Sequence, residues 1–284
     1  MMTLPYWAQR YLERLGIEQE PPTLSFLEKV CRAHLNAVPF ENISKLLYLR
    51  DFEKNGFHIP PIDVYVENMF QFDYGGTCYT NNSHALTLLK ELGFIGYHVQ
   101  LGSSHIGIII ELDGERWYAD FGSASPFFKP VNFEKDHDNL TAYDIEEIRI
   151  VPDPNQEGFY RFVRYRDGKV VKDDWDFKPD EGKEFGEFTE TVAQSNKPGA
   201  FFLTHLRCHH YQLEQNRTLS LINNKLSIKY DDQRVEEVML TTREEVKEVM
   251  EKEFHLPNLP VKEAIDVLGE LGVDVFNREN ATKV

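Results

Sequence analysis

Residues 104–120 read Ser104-His105-Ile106-Gly107-Ile108-Ile109-Ile110-Glu111-Leu112-Asp113-Gly114-Glu115-Arg116-Trp117-Tyr118-Ala119-Asp120. Asp113-Gly114 is a strong two-residue hairpin signal, because both residues accept the positive φ of a type I′ turn. With that turn, Leu112 pairs with Glu115. The same register places His105 opposite Gly122 and Gly107 opposite Asp120. His105 and Asp120 then become diagonal neighbours on one face, roughly 7–8 Å apart at the backbone. A slip of one residue would put them on opposite faces. Gly107 leaves the space between them open. A surface hairpin with an incidental His and Asp is the plainer alternative.

The hairpin marks a change of period along the chain. Before it the pattern is helical. In Thr23–Asn36 the apolar residues Leu24, Phe26, Leu27, Val30, Cys31 and Leu35 fall at helical spacing. Asn81–Leu92 repeats the pattern and meets Gly93, a suitable C-cap. From Gly96 onward the segments 97–101, 105–112, 115–121, 147–151, 159–165 and 201–212 read as strands. Lys172–Lys183 is acidic and lysine-bearing and reads as a solvated loop or excursion. Segments 218–222 and 225–230 flank Asn223-Asn224, a second I′ signal. Thr241-Thr242-Arg243-Glu244 fits a capping box that opens a helix over 245–254, and 261–271 forms a last helix ending at Gly272. Helices, then antiparallel strands, then helices indicate an α+β protein.

Composition narrows the classes of function. The chain has 284 residues, and its 41% hydrophobic content builds a core without metal or disulfide staples. A formal charge of −16 repels nucleic acid and anionic lipid, so neither is expected as a partner. The N-terminus lacks a signal-peptide pattern and no apolar run approaches membrane-spanning length, so the expected setting is soluble, reducing and cytoplasmic. Three cysteines, Cys31, Cys78 and Cys208, are too few for a disulfide framework. Cys208 and His210 share a strand face but lack a second ligand pair, so no metal site is expected there. His84 lies off the Cys78 face of its helix and reads as a structural or surface histidine.

Cys78 has a distinctive setting, Asp73-Tyr74-Gly75-Gly76-Thr77-Cys78-Tyr79-Thr80-Asn81-Asn82. The glycines permit a tight backbone turn. The helix begins near the cysteine, and a thiol there meets the positive end of the dipole, which favours thiolate. That is how a cysteine nucleophile is prepared. A buried helix-start cysteine after a glycine turn remains the alternative. Cys31, on an apolar helix face, reads as a small buried hydrophobe.

In combination these residues resemble the arylamine N-acetyltransferase family. Val38-Pro39-Phe40-Glu41-Asn42, Gly75-Gly76-Thr77-Cys78 with Asn82, Ser104-His105 and Asp120-Phe121-Gly122 match its motifs in order. The resemblance implies a helical bundle, an antiparallel β-barrel and a C-terminal α/β lid. On this chain they would span 1–92, 93–195 and 196–284. It implies Cys78 as acyl-accepting nucleophile, His105 as base and Asp120 as orienter, in a cysteine-protease-like arrangement. The co-substrate would be acetyl-CoA and the acceptors arylamines or hydrazines. Phe40 and Ser104 would meet substrate, and Ser103 the CoA. Tyr74 and Thr80 depart from the family's arginine and glutamate, as if an ion pair had been replaced as a unit. An amide synthase, a thiol hydrolase or a catalytically altered member would carry the same residues.

Overall fold

In the computed structural model, residues 3–136 and 138–277 are described. Among them the chain begins with helices α1 (Tyr6–Leu15) and α2 (Leu24–Ala37), strand β1 (Phe40–Glu41), and helices α3 (Ile43–Arg50), α4 (Phe52–Asn55), α5 (Ile62–Gln71) and α6 (Cys78–Glu91). Strands follow: β2 (Ile95–Leu101), β3 (His105–Leu112), β4 (Glu115–Ala119), β5 (Thr141–Tyr143), β6 (Glu146–Pro152), β7 (Tyr160–Arg166) and β8 (Lys169–Phe177). The rest comprises α7 (Thr189–Gln194), β9 (Arg207–Gln212), β10 (Arg217–Ile222), β11 (Lys225–Tyr230), β12 (Val235–Met239), α8 (Arg243–Lys252) and α9 (Val261–Glu270).

Contacts gather these elements into two units, each assembled from separate stretches of chain. The first joins the segment ending at Ala37 to Cys78–Phe188. The second joins Val38–Thr77 to the segment starting at Thr189.

In the first unit, α1 buries Ala8, Tyr11, Leu12 and Leu15, the helical spacing of one apolar face. It packs on α2 and α6, and α6 in turn packs on β2 and β3. Strands β2-β3-β4 form one antiparallel sheet and β5-β6-β7-β8 another. The barrel expected from the family resemblance is therefore absent: the strands form two open sheets. They are stitched where the Gly102 N–H donates to the Asp176 carbonyl at 2.9 Å. The β3–β4 register is the expected one, with Leu112 opposite Glu115 and Ile108 opposite Ala119. Asp113 and Gly114 both take positive φ, at 54° and 77°.

Lys172–Lys183 is not a solvated loop throughout. Its first residues belong to β8, paired antiparallel with β7 around Asp167-Gly168, whose φ values are 51° and 69°. This is the same turn chemistry as Asp113-Gly114. Its strands carry exposed Val170 and Val171 beside lysines and acids, so composition imitated a loop.

The second unit centres on the sheet β1-β9-β10-β11-β12. Its core draws Ile43, Leu46 and Leu47 from α3, Leu219 and Leu221 from β10, and Ala264, Ile265 and Leu268 from α9. The expected strand over 201–212 begins only at Arg207, because Phe201–Leu203 turns as a short 3-10 helix. The cap of α8 sits one residue later than expected. The Thr242 side chain accepts from the Glu245 N–H, and Glu245 accepts in return from the Thr241 N–H. At Asn223-Asn224 only the first residue has positive φ, so the turn is not type I′.

Candidate active site

Cys78 is the first residue of α6, where the backbone N–H groups lack intrahelical partners. Gly75 acts by close approach and not by positive φ. A Cβ on Gly75 would lie 1.9 Å from the Pro39 carbonyl oxygen. The Gly75 N–H donates to Glu41, which also accepts from the backbone and hydroxyl of Ser44. Burial pushes the Glu41 carboxyl upward against these three donors. Asn42 bonds the Phe202 and His205 carbonyls and the Arg207 N–H. The Glu-Asn pair of the motif is thus an internal bracket of the second unit.

His105 opens β3 and Asp120 follows β4 directly. His105 Nε2 lies 2.7 Å from Asp120 Oδ2, and both side chains are buried. Asp120 accepts three further hydrogen bonds. Tyr118 Oη donates to the same Oδ2 at 2.9 Å. Asn82 Nδ2 and the Gly122 N–H donate to Oδ1 at 3.0 and 2.9 Å. Asn82 sits one turn after Cys78 on α6 and also bonds the Ile106 carbonyl and the Phe121 N–H. It therefore ties the cysteine helix to both strands of the hairpin.

The space beside Gly107 is filled, not open. A Cβ there would lie 2.6 Å from the Tyr118 ring. Gly122 must also lack a side chain, since its Cβ would fall 2.5 Å from Cys78 Cα. Gly122 thus lets the end of the hairpin lie against the backbone of Cys78, while Gly107 makes room for the Tyr118 ring.

With Nε2 on Asp120, the other imidazole nitrogen is left for Cys78. Burial alone would lower the His105 pKa. The Asp120 charge and hydrogen bond, with those of Cys78, outweigh burial and raise it to about 9. Burial likewise favours neutral Asp120, yet His105, Asn82 and Gly122 hold its pKa below the ordinary carboxylate value. A carboxylate–imidazolium pair is the consistent result. At Cys31 and Cys208 burial pushes the thiols upward.

Ser103 and Ser104 form the exposed turn between β2 and β3. It is the Ser104 carbonyl, 3.9 Å from Cys78 Sγ, that meets the thiol. Phe40 belongs to the second unit, half-buried with its ring edge-on to Phe202 at 5.5 Å. Tyr74, in the same unit, packs between the rings of Phe72 and Tyr48. Thr80 is buried on α6. Among the described residues no cluster of three or more His, Cys, Asp or Glu could hold a metal.

Two contributors escaped sequence reasoning. Tyr118 donates to Asp120, and Trp175 on β8 lies flat on His105, with ring centroids 4.0 Å apart and 4° between planes. The Asp167-Gly168 turn was the signal for the second, because it creates the strand that delivers Trp175.

A family model described as N-acetyltransferase matches residues 23–263. The chain belongs to the arylamine N-acetyltransferase family. An arylamine N-acetyltransferase of Mycolicibacterium smegmatis is 35% identical over 89 residues, 30% of this chain and 29% of that relative. The arylamine N-acetyltransferase structure from Salmonella typhimurium shares the fold, with a TM-score of 0.76, 18% identity, and coverage of 94% of this chain and 100% of that one. The Mycobacterium marinum enzyme in complex with CoA aligns with a TM-score of 0.74 and 16% identity, covering 93% and 98%.

Proposed function

We propose that this family member transfers an acetyl group from acetyl-CoA to arylamines or hydrazines through a Cys78 thioester, in a ping-pong sequence. The observation that carries the proposal is the buried His105–Asp120 pair at 2.7 Å with Cys78 coupled to its imidazole. An imidazolium beside the sulfur favours the thiolate, the nucleophilic form.

The Cys78 sulfur attacks the thioester carbonyl of acetyl-CoA. The carbonyl–sulfur bond to CoA breaks, and the CoA sulfur takes the proton held by His105. The amine of the acceptor then attacks the acetyl carbon. His105 accepts its proton, the bond to Cys78 Sγ breaks, and an amide leaves. Arylamines and hydrazines are weakly basic and stay neutral near pH 7, so they are ready nucleophiles. Backbone N–H groups at the start of α6 are available to the tetrahedral oxyanion. Asp120 keeps the imidazole oriented throughout. Phe40 is assigned to the acceptor, Ser104 to substrate and Ser103 to CoA. The CoA complex of the Mycobacterium marinum relative supports acetyl-CoA as donor. A free thiol nucleophile suits a reducing, cytoplasmic setting.

The test is a turnover assay with acetyl-CoA and an arylamine, beside a parallel assay with a peptide substrate. N-acetylarylamine should form with the native protein and not with Cys78→Ala. Peptide hydrolysis without acetyl transfer would instead identify a thiol hydrolase.

A further inference from the structure

We propose that Trp175 is a positioning residue for His105, its indole clamping the imidazole in the orientation that serves Asp120 and Cys78 together. The inference rests on the reading of Cys78 as nucleophile given above.

His105 stands at the end of a strand, beside the exposed Ser103-Ser104 turn. Its edges are held by hydrogen-bond partners, but edge contacts alone allow a ring to tilt or flip about χ2. A half-turn of the imidazole would break both the Asp120 and the Cys78 contacts. The parallel indole, 4.0 Å away, opposes both motions by covering a whole face.

Trp175 is itself held from several directions. Phe162 meets it edge-on at 5.3 Å. Lys172 Nζ lies 4.2 Å from the indole centroid, and because the imidazole covers one face, the ammonium occupies the other. The next residue, Asp176, accepts from the Gly102 N–H, which fixes the strand to the turn preceding His105. The indole is only half-buried, so a smaller side chain would admit water to the imidazole face. The charged and titratable groups around His105 are Asp120, Cys78, Tyr118 through Asp120, and Lys172 behind the indole. None of these replaces a flat contact.

The experiment compares iodoacetamide alkylation of Cys78 in the native protein, Trp175→Leu and Trp175→Phe, at about pH 6 and about pH 9. Cys31, buried in the same unit, monitors the fold. In Trp175→Leu, Cys78 alkylation near pH 6 should fall about tenfold or more, since a misplaced base costs that much or more. Near pH 9, where ordinary thiols ionise unaided, the loss should be much smaller. Trp175→Phe should restore most of the rate, and Cys31 should stay unlabelled in all three. Unchanged rates in Trp175→Leu, an equal loss at both pH values, or a loss accompanied by Cys31 labelling would overturn the assignment. Native Cys78 reacting no faster than Cys31 and Cys208 would instead remove the nucleophile reading beneath it.

Discussion

Asp120 accepts four hydrogen bonds while shielded from water, and this sets the protonation of its neighbour. Burial favours neutral imidazole at His105, and the Asp120 charge is the first influence opposing it. Asp120→Asn keeps the shape and removes that charge. The His105 titration, near 9 in the native protein, should then fall below 7 when followed by NMR of the labelled imidazole. Acetyl transfer should fall by roughly 10²–10⁴-fold, the range for losing general acid–base function. A titration still near 9 would mean that Asp120 does not support the imidazolium. At the same scale, iodoacetamide near neutral pH should label Cys78 and spare Cys31 and Cys208, whose thiols burial pushes upward. Labelling of all three at equal rates, read by peptide mass spectrometry, would contradict this.

Hairpins decide what reaches the site. Strand β4 brings the Tyr118 ring into the space that a side chain at Gly107 would need, and the hydroxyl completes the Asp120 shell. Tyr118→Phe removes one donor and keeps the ring packed between its neighbours, so it should cost about 1–3 kcal/mol, the price of an unmet buried acceptor. Gly107→Ala should cost more, because its methyl needs the space that the ring fills. Urea midpoints of the two variants check the order, and a milder Gly107→Ala would contradict it. The β3–β4 hairpin was legible in the sequence because its turn and its isoleucine run agree. The β7–β8 hairpin carries an equally good turn, Asp167-Gly168, but its strands are half-exposed and charged. Period and composition therefore pulled apart there, and Trp175 went unread. Tyr118 was hidden for another reason: a tyrosine two residues before an aspartate looks like any strand aromatic until the partner strand supplies a glycine diagonal to it.

Across the whole molecule, motif order along the chain identified Cys78, His105 and Asp120 as residues that belong together. It did not reveal that the chain leaves the first unit after Ala37 and re-enters it at Cys78, since local patterns carry no record of long-range return. The barrel came from the family resemblance, and strand patterns alone do not distinguish open sheets from a closed one. The pH dependence of stability is also a property of the whole chain. The His105 pKa is raised from 6.5 to about 9, so its contribution is full below 6.5 and is lost as pH climbs through about 9. The Asp120 pKa is lowered from 3.8, so its contribution is present above 3.8 and is lost as pH falls through the depressed value. The pair therefore stabilises the fold most between pH 3.8 and 6.5. The urea midpoint of the native protein should fall toward pH 9 more steeply than that of His105→Gln, and parallel curves would contradict the assignment.

The central claim, that one sulfur carries the acyl group, is tested most directly by intact-protein and peptide mass spectrometry after exposure to acetyl-CoA without acceptor. A single acetyl group is expected on the peptide containing Cys78, absent from Cys78→Ser and discharged when an arylamine is added. No adduct, or one on a peptide lacking Cys78, would contradict the account.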